Sequence, residues 1–534
     1  MNPSKQEAIK EAYPLCFSFV GAGAADKLCS GRGVNPKAFP EVLARRGEAL
    51  GLPDFLPELA RLEQGLQKIA SARIPRPEEV DRWMVNPSLQ LLQVSWKNLP
   101  GLFQGEERKP HFSPQPGKEL VLIWQTPRTR QGRIQIATAE DLLTLKMTVE
   151  EILPEEVART EKTSVGALNA AIDRAAEKGI LLRPQSRLRR EPENFLHAPE
   201  ARKDFLVAPR FTLQWHITQA CDLHCRHCYD RTNRSSMPLD KSLAVLDDLK
   251  AFCRSRYVQG QVSFTGGNPF LHPHFPRIYK AAADLGFSLA VLGNPVSRGE
   301  IQELMAIQHP EFFQVSLEGL PEHNDFIRGA GHFQRIMKFL ETLRELRIYS
   351  MVMLTLTQDN IDQVLPLAEI LHGRADSFTF NRLSRAGEGA NLQLPSPAKY
   401  EAFLKDYARA VGKNPILALK DNLLNIVYQQ QGGELFGGCT GYGCGAAFNF
   451  LTLLADGEIH ACRKFPSLIG NTFEKSLADL YDSAAARRYR SGTHACRLCP
   501  IRPVCGGCLA VIQGQGLDVF TRRDPYCFIR PSLS

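Results

Sequence analysis

Thr218-Gln-Ala-Cys221-Asp-Leu-His-Cys225-Arg-His-Cys228-Tyr-Asp230 carries three cysteines spaced Cys-x3-Cys-x2-Cys, with the ring of His227 just before the last. Three thiolates on one loop can hold three irons of a cubic iron–sulfur cluster and leave the fourth iron without a protein ligand. An open iron can bind a small molecule and do chemistry, as the open position of a catalytic zinc does. The triplet alone also fits a set of zinc ligands, so its surroundings decide. Upstream, Arg210 to Thr218 reads as a buried strand ending at the cysteine loop. Downstream, Val262-Ser-Phe-Thr-Gly-Gly-Asn-Pro269 reads as a strand running into Gly266 and Gly267, where backbone can approach a ligand closely.

The alternation continues for six rounds. Strand-like stretches start near Arg210, Gly260, Ser288, Phe312, Tyr349 and Ser377. Helix-like stretches follow at about Leu239–Ser255, His274–Gly286, Gly299–Gln308, His332–Ile348, Asn360–Arg374 and Pro397–Lys413. Strands alternating with helices predict an α/β fold: a parallel sheet with right-handed crossovers, with ligands at the C-terminal strand ends.

From about Phe211 to Cys527 these features resemble the radical S-adenosylmethionine (SAM) enzymes. The resemblance implies a partial (β/α)6 barrel and a [4Fe-4S] cluster on Cys221, Cys225 and Cys228. Its open iron would chelate the amino and carboxyl groups of SAM, and one electron would cleave SAM to a 5′-deoxyadenosyl radical that abstracts a substrate hydrogen. The family's Gly-Gly-Glu-Pro motif, which binds the SAM amino group, is matched at Gly266, Gly267 and Pro269, with Asn268 in place of Glu. Asn still accepts a hydrogen bond from an ammonium, without charge assistance. By the same resemblance, Ser316 and Arg328 bind the SAM carboxylate, and Asn294 and His227 lie near its ribose and adenine. Arg suits a carboxylate because its planar fork pairs bidentately. Taken singly, each of these is also an ordinary surface or turn residue. Glu318, Asp325 and Glu388 are acids near the expected site, and the sequence does not choose a proton acceptor among them.

A second dense set of cysteines occupies the last hundred residues: 439, 444, 462, 496, 499, 505, 508 and 527. Their order resembles the SPASM extension of peptide-modifying radical SAM enzymes. It departs in having two residues rather than three between Cys505 and Cys508. Eight thiolates can close two clusters, four to each. The resemblance gives Cys439, Cys444, Cys462 and Cys508 to an inner cluster, and Cys496, Cys499, Cys505 and Cys527 to an outer one. One or two structural zinc ribbons are the competing reading. Of the other cysteines, Cys253 lies in a helix-like run as a small core residue, and Cys16 and Cys29 have no partner pattern.

Residues 1–110 read as a helical region, as in Phe39–Leu50 and Leu56–Leu66. Residues 115–185 read as a winged-helix-like module: strands Glu119–Thr126 and Gly132–Ala137, a helix from Ala139 to about Ile152, a short helix, Val165–Lys178, and a closing strand to Pro184. This module weakly resembles the precursor-recognition elements of peptide maturases, which add a leader peptide to a sheet edge. A DNA-binding winged helix is the rival. The third helix carries Asp173 and Glu177 against Arg174 and Lys178, too balanced for a phosphate-reading face. Residues 186–208 read as a charged, proline-broken linker, 209–415 as the barrel and 416–534 as the SPASM domain.

At 534 residues and 43% hydrophobic content, several globular domains are expected. No apolar run reaches the roughly 18 residues that span a bilayer, and the first ten residues lack the apolar stretch of a signal peptide. Eleven of the fourteen cysteines spent on clusters rather than pairs suit a reducing cytoplasm. A net charge of +8 is mild for this length; it suits an acidic peptide partner and equally a bland basic surface, and no nucleic-acid or membrane partner is expected. The expectation is a three-cluster radical SAM/SPASM enzyme that uses SAM to modify a ribosomally made peptide, with a ferredoxin or flavodoxin as electron donor. The Leu213-Gln-Trp-His-Ile-Thr218 approach to the cluster and the long N-terminal extension resemble the thio(seleno)oxazole-modification maturases. Thioether formation, formylglycine-type oxidation and a non-catalytic metal-bound peptide scaffold are the alternatives.

Three cubic clusters correspond to roughly twelve irons per chain. Anaerobically prepared protein should be iron-rich, and replacing Cys221, Cys225 and Cys228 together by Ala should remove about a third of that iron. Stoichiometric zinc with little iron would overturn the cluster reading.

Overall fold

The computed structural model describes residues 3–30, 34–75, 77, 80–103, 113–127, 129–161, 163–195 and 204–529. The chain divides into two units, Met1–Gln185 and Ser186–Ser534. In the first, the helices Phe39–Arg46 and Leu56–Ser71 turn Phe39, Leu43, Leu56, Leu59 and Leu62 into one core. Strands β1 (Met84–Val85), β2 (Gln90–Lys97), β3 (Gln115–Gln125) and β4 (Gly132–Ile136) follow. Then come the helices Ala139–Val149, Pro154–Thr160 and Val165–Lys178, and β5 (Leu181–Leu182). β2, β3 and β4 form an antiparallel sheet in that order, and β5 closes on β1.

The stretch 84–97 thus departs from the helical expectation. Its signal was period two: Leu92, Val94 and Trp96 pack on the core of the first helices, while Leu91, Gln93 and Ser95 are exposed. Thr138 starts the first of the three later helices with a reciprocal capping box to Asp141.

The second unit carries β6 (Arg210–Thr218), β7 (Gln259–Gly266), β8 (Ser288–Leu292), β9 (Phe313–Ser316), β10 (Ser350–Leu356) and β11 (Ser377–Arg382). They pair in chain order, all parallel, with helices in each crossover. The six expected rounds and their helices are therefore present. Alternation sorts the strand residues between two faces. Phe211, Leu213, Trp215, Val262, Phe264, Phe313, Val315, Val352, Leu354, Phe378 and Phe380 join the main core. The opposite phase is largely polar, with Thr212, Gln214, His216, Ser263, Thr265, Gln314, Ser316, Thr355 and Asn381. A parallel sheet covered on both faces would read as continuous apolar runs; here the polar phase lines a site.

The cysteine-rich region does more than follow the barrel. β12 (Phe450–Leu453) pairs in parallel with the other edge of β6, and β13 (Glu458–His460) and β14 (Leu468–Asn471) continue the sheet antiparallel. Part of the charged stretch read as a linker also belongs to this unit; residues 196–203 lie outside the described residues. Leu188 and Ala208 are fully buried in the main core, and Ser186 Oγ donates to the Ala208 carbonyl at 2.5 Å. Among the described residues, no helix is long and apolar enough to cross a membrane.

A buried cation joins the barrel rim to the cysteine-rich chain. Arg382, at the end of β11, donates Nε to Asp421 (2.8 Å) and its two terminal nitrogens to Asp524 (2.9 and 2.8 Å). Asp524 also accepts from the backbone of Cys508 (2.9 Å) and Tyr526 (3.0 Å). Removing one partner of a buried pair strands the other's charge, so Asp524→Asn should cost about 3–5 kcal/mol of unfolding free energy. The check is the denaturant midpoint; a loss under about 1 kcal/mol, the range of exposed pairs, would show that water reaches this end of β11.

Candidate active site

The cysteine loop leaves β6 at Thr218 and is tied at once to the end of β7. Gly267 N donates to Thr218 O (2.9 Å) and Asn268 N to Ala220 O (2.8 Å). A Cβ on Gly266, whose φ is +130°, would lie 2.2 Å from Thr218 O, and one on Gly267 would lie 2.0 Å from Ala220 O. The two glycines are therefore required first by the loop's own packing, and only then by the cavity they border. From the opposite side, a Cβ on Gly387 would lie 2.6 Å from Cys228 O, and Glu388 N donates to that same oxygen at 2.9 Å. This second clamp was missed in the sequence, because a lone glycine in a loop has no pattern.

Cys221, Cys225 and Cys228 border one cavity of about 310 Å³, together with His227, Gly266, Gly267, Asn294, Ser316 and Arg328. The polar strand phase closes it through Thr265, Gln314, Thr355 and Asn381. Asn268 does not border it. It is buried, accepts from Phe270 N (3.4 Å) and donates to Asp222 (3.2 Å). Asn294 donates to the same Asp222 oxygen (2.6 Å) and to Cys221 Sγ (3.5 Å). Asp222 is a polar partner that sequence spacing did not single out.

Arg328 is held by Glu318, with Nε at 2.9 Å and Nη2 at 2.5 Å from Oε1, while Nη1 reaches Cys225 Sγ at 3.7 Å. Thr355 N donates to the other Glu318 oxygen (2.7 Å), and His227 Nε2 lies 3.2 Å from the first. Burial alone would raise the Glu318 carboxyl, but His227 and Arg328 outweigh it and hold it well below the usual carboxylate range. Glu318 thus neutralises and aims the guanidinium, and its lowered pKa makes it a weak proton acceptor. Asp325 accepts from Gly331 N (2.7 Å) and Phe333 N (2.8 Å), so it caps the helix His332–Glu345.

The eight C-terminal cysteines separate into two sets in space. Cys439, Cys444, Cys462 and Cys508 border a second cavity of about 160 Å³. Burial, then the neighbouring thiols, push Cys444 up to about 12; burial above all pushes Cys462 up to about 11. Cys496 is raised to about 11 by burial and by Cys499 and Cys527, and Cys505 is raised by burial and by those three. Arg382, Arg463, Lys464 and Asn381 border both cavities. All fourteen cysteines are free thiols; Cys16 and Cys29 are buried in the first unit's core and Cys253 in the second's. Among the described residues, no three or more His, Cys, Asp or Glu side chains close on a point as a single ion requires. Seven of the cysteines border the two cavities instead.

These residues fit SAM and iron–sulfur clusters on their donor chemistry: soft thiols in one group of three and two of four. In the first cavity the buried His227 Nδ1 has no hydrogen-bond partner and Arg328 is already aimed at the thiols.

Residues 215–371 match the Radical SAM superfamily, and residues 444–500 match SPASM, an iron–sulfur cluster-binding domain. Mycofactocin maturase MftC of Mycobacterium ulcerans is 25% identical, over 59% of this chain and 87% of that protein. An AdoMet-dependent heme synthase of Nitratidesulfovibrio vulgaris is 23% identical, over 60% of this chain and 92% of that one. Among solved structures, Streptococcus suis SuiB aligns with 77% of this chain and 97% of its own, at 17% identity and a TM-score of 0.49. SAM and iron–sulfur clusters are the cofactors that the two matched domains imply.

Glu318→Gln keeps the shape but removes the charge that orients Arg328. SAM cleavage by reduced protein should fall at least about tenfold, worth about 1.4 kcal/mol, with iron content unchanged. Stability should also change its pH response. The depressed Glu318 carboxyl gives stability that is full above the ordinary carboxylate pKa and is lost as pH falls through its lower folded value; the variant should lack that acid limb. Deoxyadenosine assay and acid unfolding check both, and wild-type values in both would remove Glu318 from the site.

Proposed function

We propose that this chain, a radical SAM iron–sulfur enzyme with a SPASM domain, modifies a ribosomally made peptide. The observation that carries the reading is the pair of adjoining cavities. One has the three-cysteine loop, the other has four thiols, and Arg382, Arg463, Lys464 and Asn381 border both. When bound and reduced, SAM and its cluster supply a carbon radical that takes a hydrogen atom from the substrate. The chain's residues have separate tasks. Arg328, aimed by Glu318, binds an anionic group beside Cys225. Asn268 and Asn294 hold Asp222 next to Cys221. Ser316 and Gln314 keep the far wall polar.

A maturase among the relatives supports the peptide substrate, and the heme-synthase relative makes a small-molecule substrate the competing reading. The first unit favours the peptide. Its three-stranded sheet offers β4 as an edge for a leader strand. The other edge, β2, is irregular between Val94 and Trp96, and Glu58 already accepts from Ser95 N (3.0 and 2.7 Å). Leu168 of the third helix packs in a core with Met147 and Val157. A nucleic-acid role has little support: Arg174 pairs with Glu140 (2.7 Å) and Lys178 with Asp141 (2.9 Å). The finer reading, thio(seleno)oxazole-type modification of a cysteine-rich precursor, rests on the Leu213–Thr218 approach and the N-terminal extension. The cytoplasm as its location and a ferredoxin or flavodoxin as its reductant belong to the same proposal.

Deleting residues 1–185 should weaken binding of a labelled precursor, while the remaining unit, if folded, still cleaves SAM. Strand addition also predicts only modest loss of affinity between two salt concentrations, unlike phosphate binding. Unchanged affinity in the folded, truncated protein would remove the first unit as the capture site.

A further inference from the structure

Arg190 and Arg502 are buried between the two four-cysteine sites, at 5% and 4% exposure. Elsewhere in this unit buried guanidinium groups have carboxylates: Glu318 for Arg328, and Asp421 and Asp524 for Arg382. Among the described residues neither Arg190 nor Arg502 has one within ion-pair distance. Arg190 donates Nη2 to the carbonyl of Cys444 (2.5 Å) and lies over the rings of Phe448 (4.4 Å) and Phe195 (5.3 Å). Arg502 donates Nη2 to Ser491 O and lies over Phe195 (4.9 Å). Phe195 is thus shared by both cations. Arg190 Nε and Arg502 Nη1 are buried without hydrogen-bond partners. Both arginines border a cavity of about 20 Å³ with Cys444 of the inner set and Cys496 of the outer set.

A buried, unpaired charge is among the costliest features a fold can contain. Arginine does not escape by losing its proton, because a guanidinium stays charged at any ordinary pH. The groups beside Arg190 and Arg502 that can carry negative charge are thiols rather than carboxylates: Cys444 and Cys496 border the same small cavity. Thiols answer a cation only as thiolates, and metal ligation makes them so. Four thiolates carry more negative charge than an oxidised cubic core carries positive, so each filled site is an anion.

We propose that Arg190 and Arg502 form a cationic bridge between the two auxiliary clusters, with Arg190 serving the inner site and Arg502 the outer, and that the bridge raises both reduction potentials. Reduction adds one negative charge to a cluster, and a fixed cation in a low-dielectric interior stabilises that state. Both are positioning residues: neither borders the three-cysteine cavity. The inference rests on the two four-cysteine sets holding clusters. It also gives a task to the stretch before residue 196, whose sequence reads only as a linker.

The test uses full-length, reconstituted wild type, Arg190→Gln, Arg190→Lys and Arg502→Gln. Iron and sulfide are counted first, and dithionite titration followed by electron paramagnetic resonance then gives the potentials. Arg190→Gln should lower the inner cluster's potential by at least a tenfold change in its reduction equilibrium, 59 mV for one electron. It should move the outer cluster less; Arg502→Gln should do the reverse, and Arg190→Lys should stay near wild type. Intact clusters with unchanged potentials would overturn the bridge. If Arg190→Gln loses inner-cluster iron and Arg190→Lys keeps it, charge is what the site requires. If both lose it, the guanidinium serves packing on Phe448 and the bridge falls. Wild-type protein without auxiliary clusters would overturn the parent cluster reading instead, and the bridge with it.

Discussion

Strand β6 is paired on both edges, to β7 and to β12, and this double pairing sets the relation between the sites. Its register with β7 runs from Arg210↔Gln259 to Thr218↔Gly266, and its register with β12 from Thr212↔Phe450 to Trp215↔Leu453. A strand with period two cannot slip by one residue without turning its apolar face outward. Phe211, Leu213 and Trp215 are fully buried, so both registers are pinned by the same side chains. At its end the chain enters the three-cysteine loop. Beside it, β12 and β13 deliver Cys462, and the turn before β12 delivers Cys444. The three-cysteine cavity and the four-cysteine cavity adjoin because their backbones share one strand.

Charge is the second constraint. The unit buries several arginines, each answered differently. Arg328 has a carboxylate and is aimed at a thiol; Arg382 has two carboxylates and anchors the chain around Cys508. Arg190 and Arg502 have aromatic faces and carbonyls. The first arrangement orients a side chain, the second welds two segments, and the third leaves positive charge for cysteine sites that become anionic when filled. Where a fold leaves buried charge without a protein counter-charge, an anionic ligand is the ordinary physical answer.

Much of this was readable along the chain. Six strand–helix rounds were visible because a parallel sheet needs one long crossover per strand, which stamps a repeat on the sequence. The three-cysteine loop was visible because its ligands lie on one turn. Of the residues expected around SAM, His227, Gly266, Gly267, Asn294, Ser316 and Arg328 border one cavity; Asn268 turns away to Asp222. Strand β2 was missed because two adjacent leucines, Leu91 and Leu92, hid its alternation.

The sequence by itself determined the kinds of atoms present and their local spacing: thiols by threes and fours, a two-glycine turn, and a barrel's repeat. Local spacing survives folding, so those readings could be made without coordinates. Only the tertiary structure decided which distant groups meet. Glu318 takes Arg328, Gly387 clamps Cys228, β12 joins β6, and Arg190 reaches Cys444 across 254 residues. Such pairings leave no periodic mark on the chain, because they are selected by burial and by the cost of leaving a polar group without a partner.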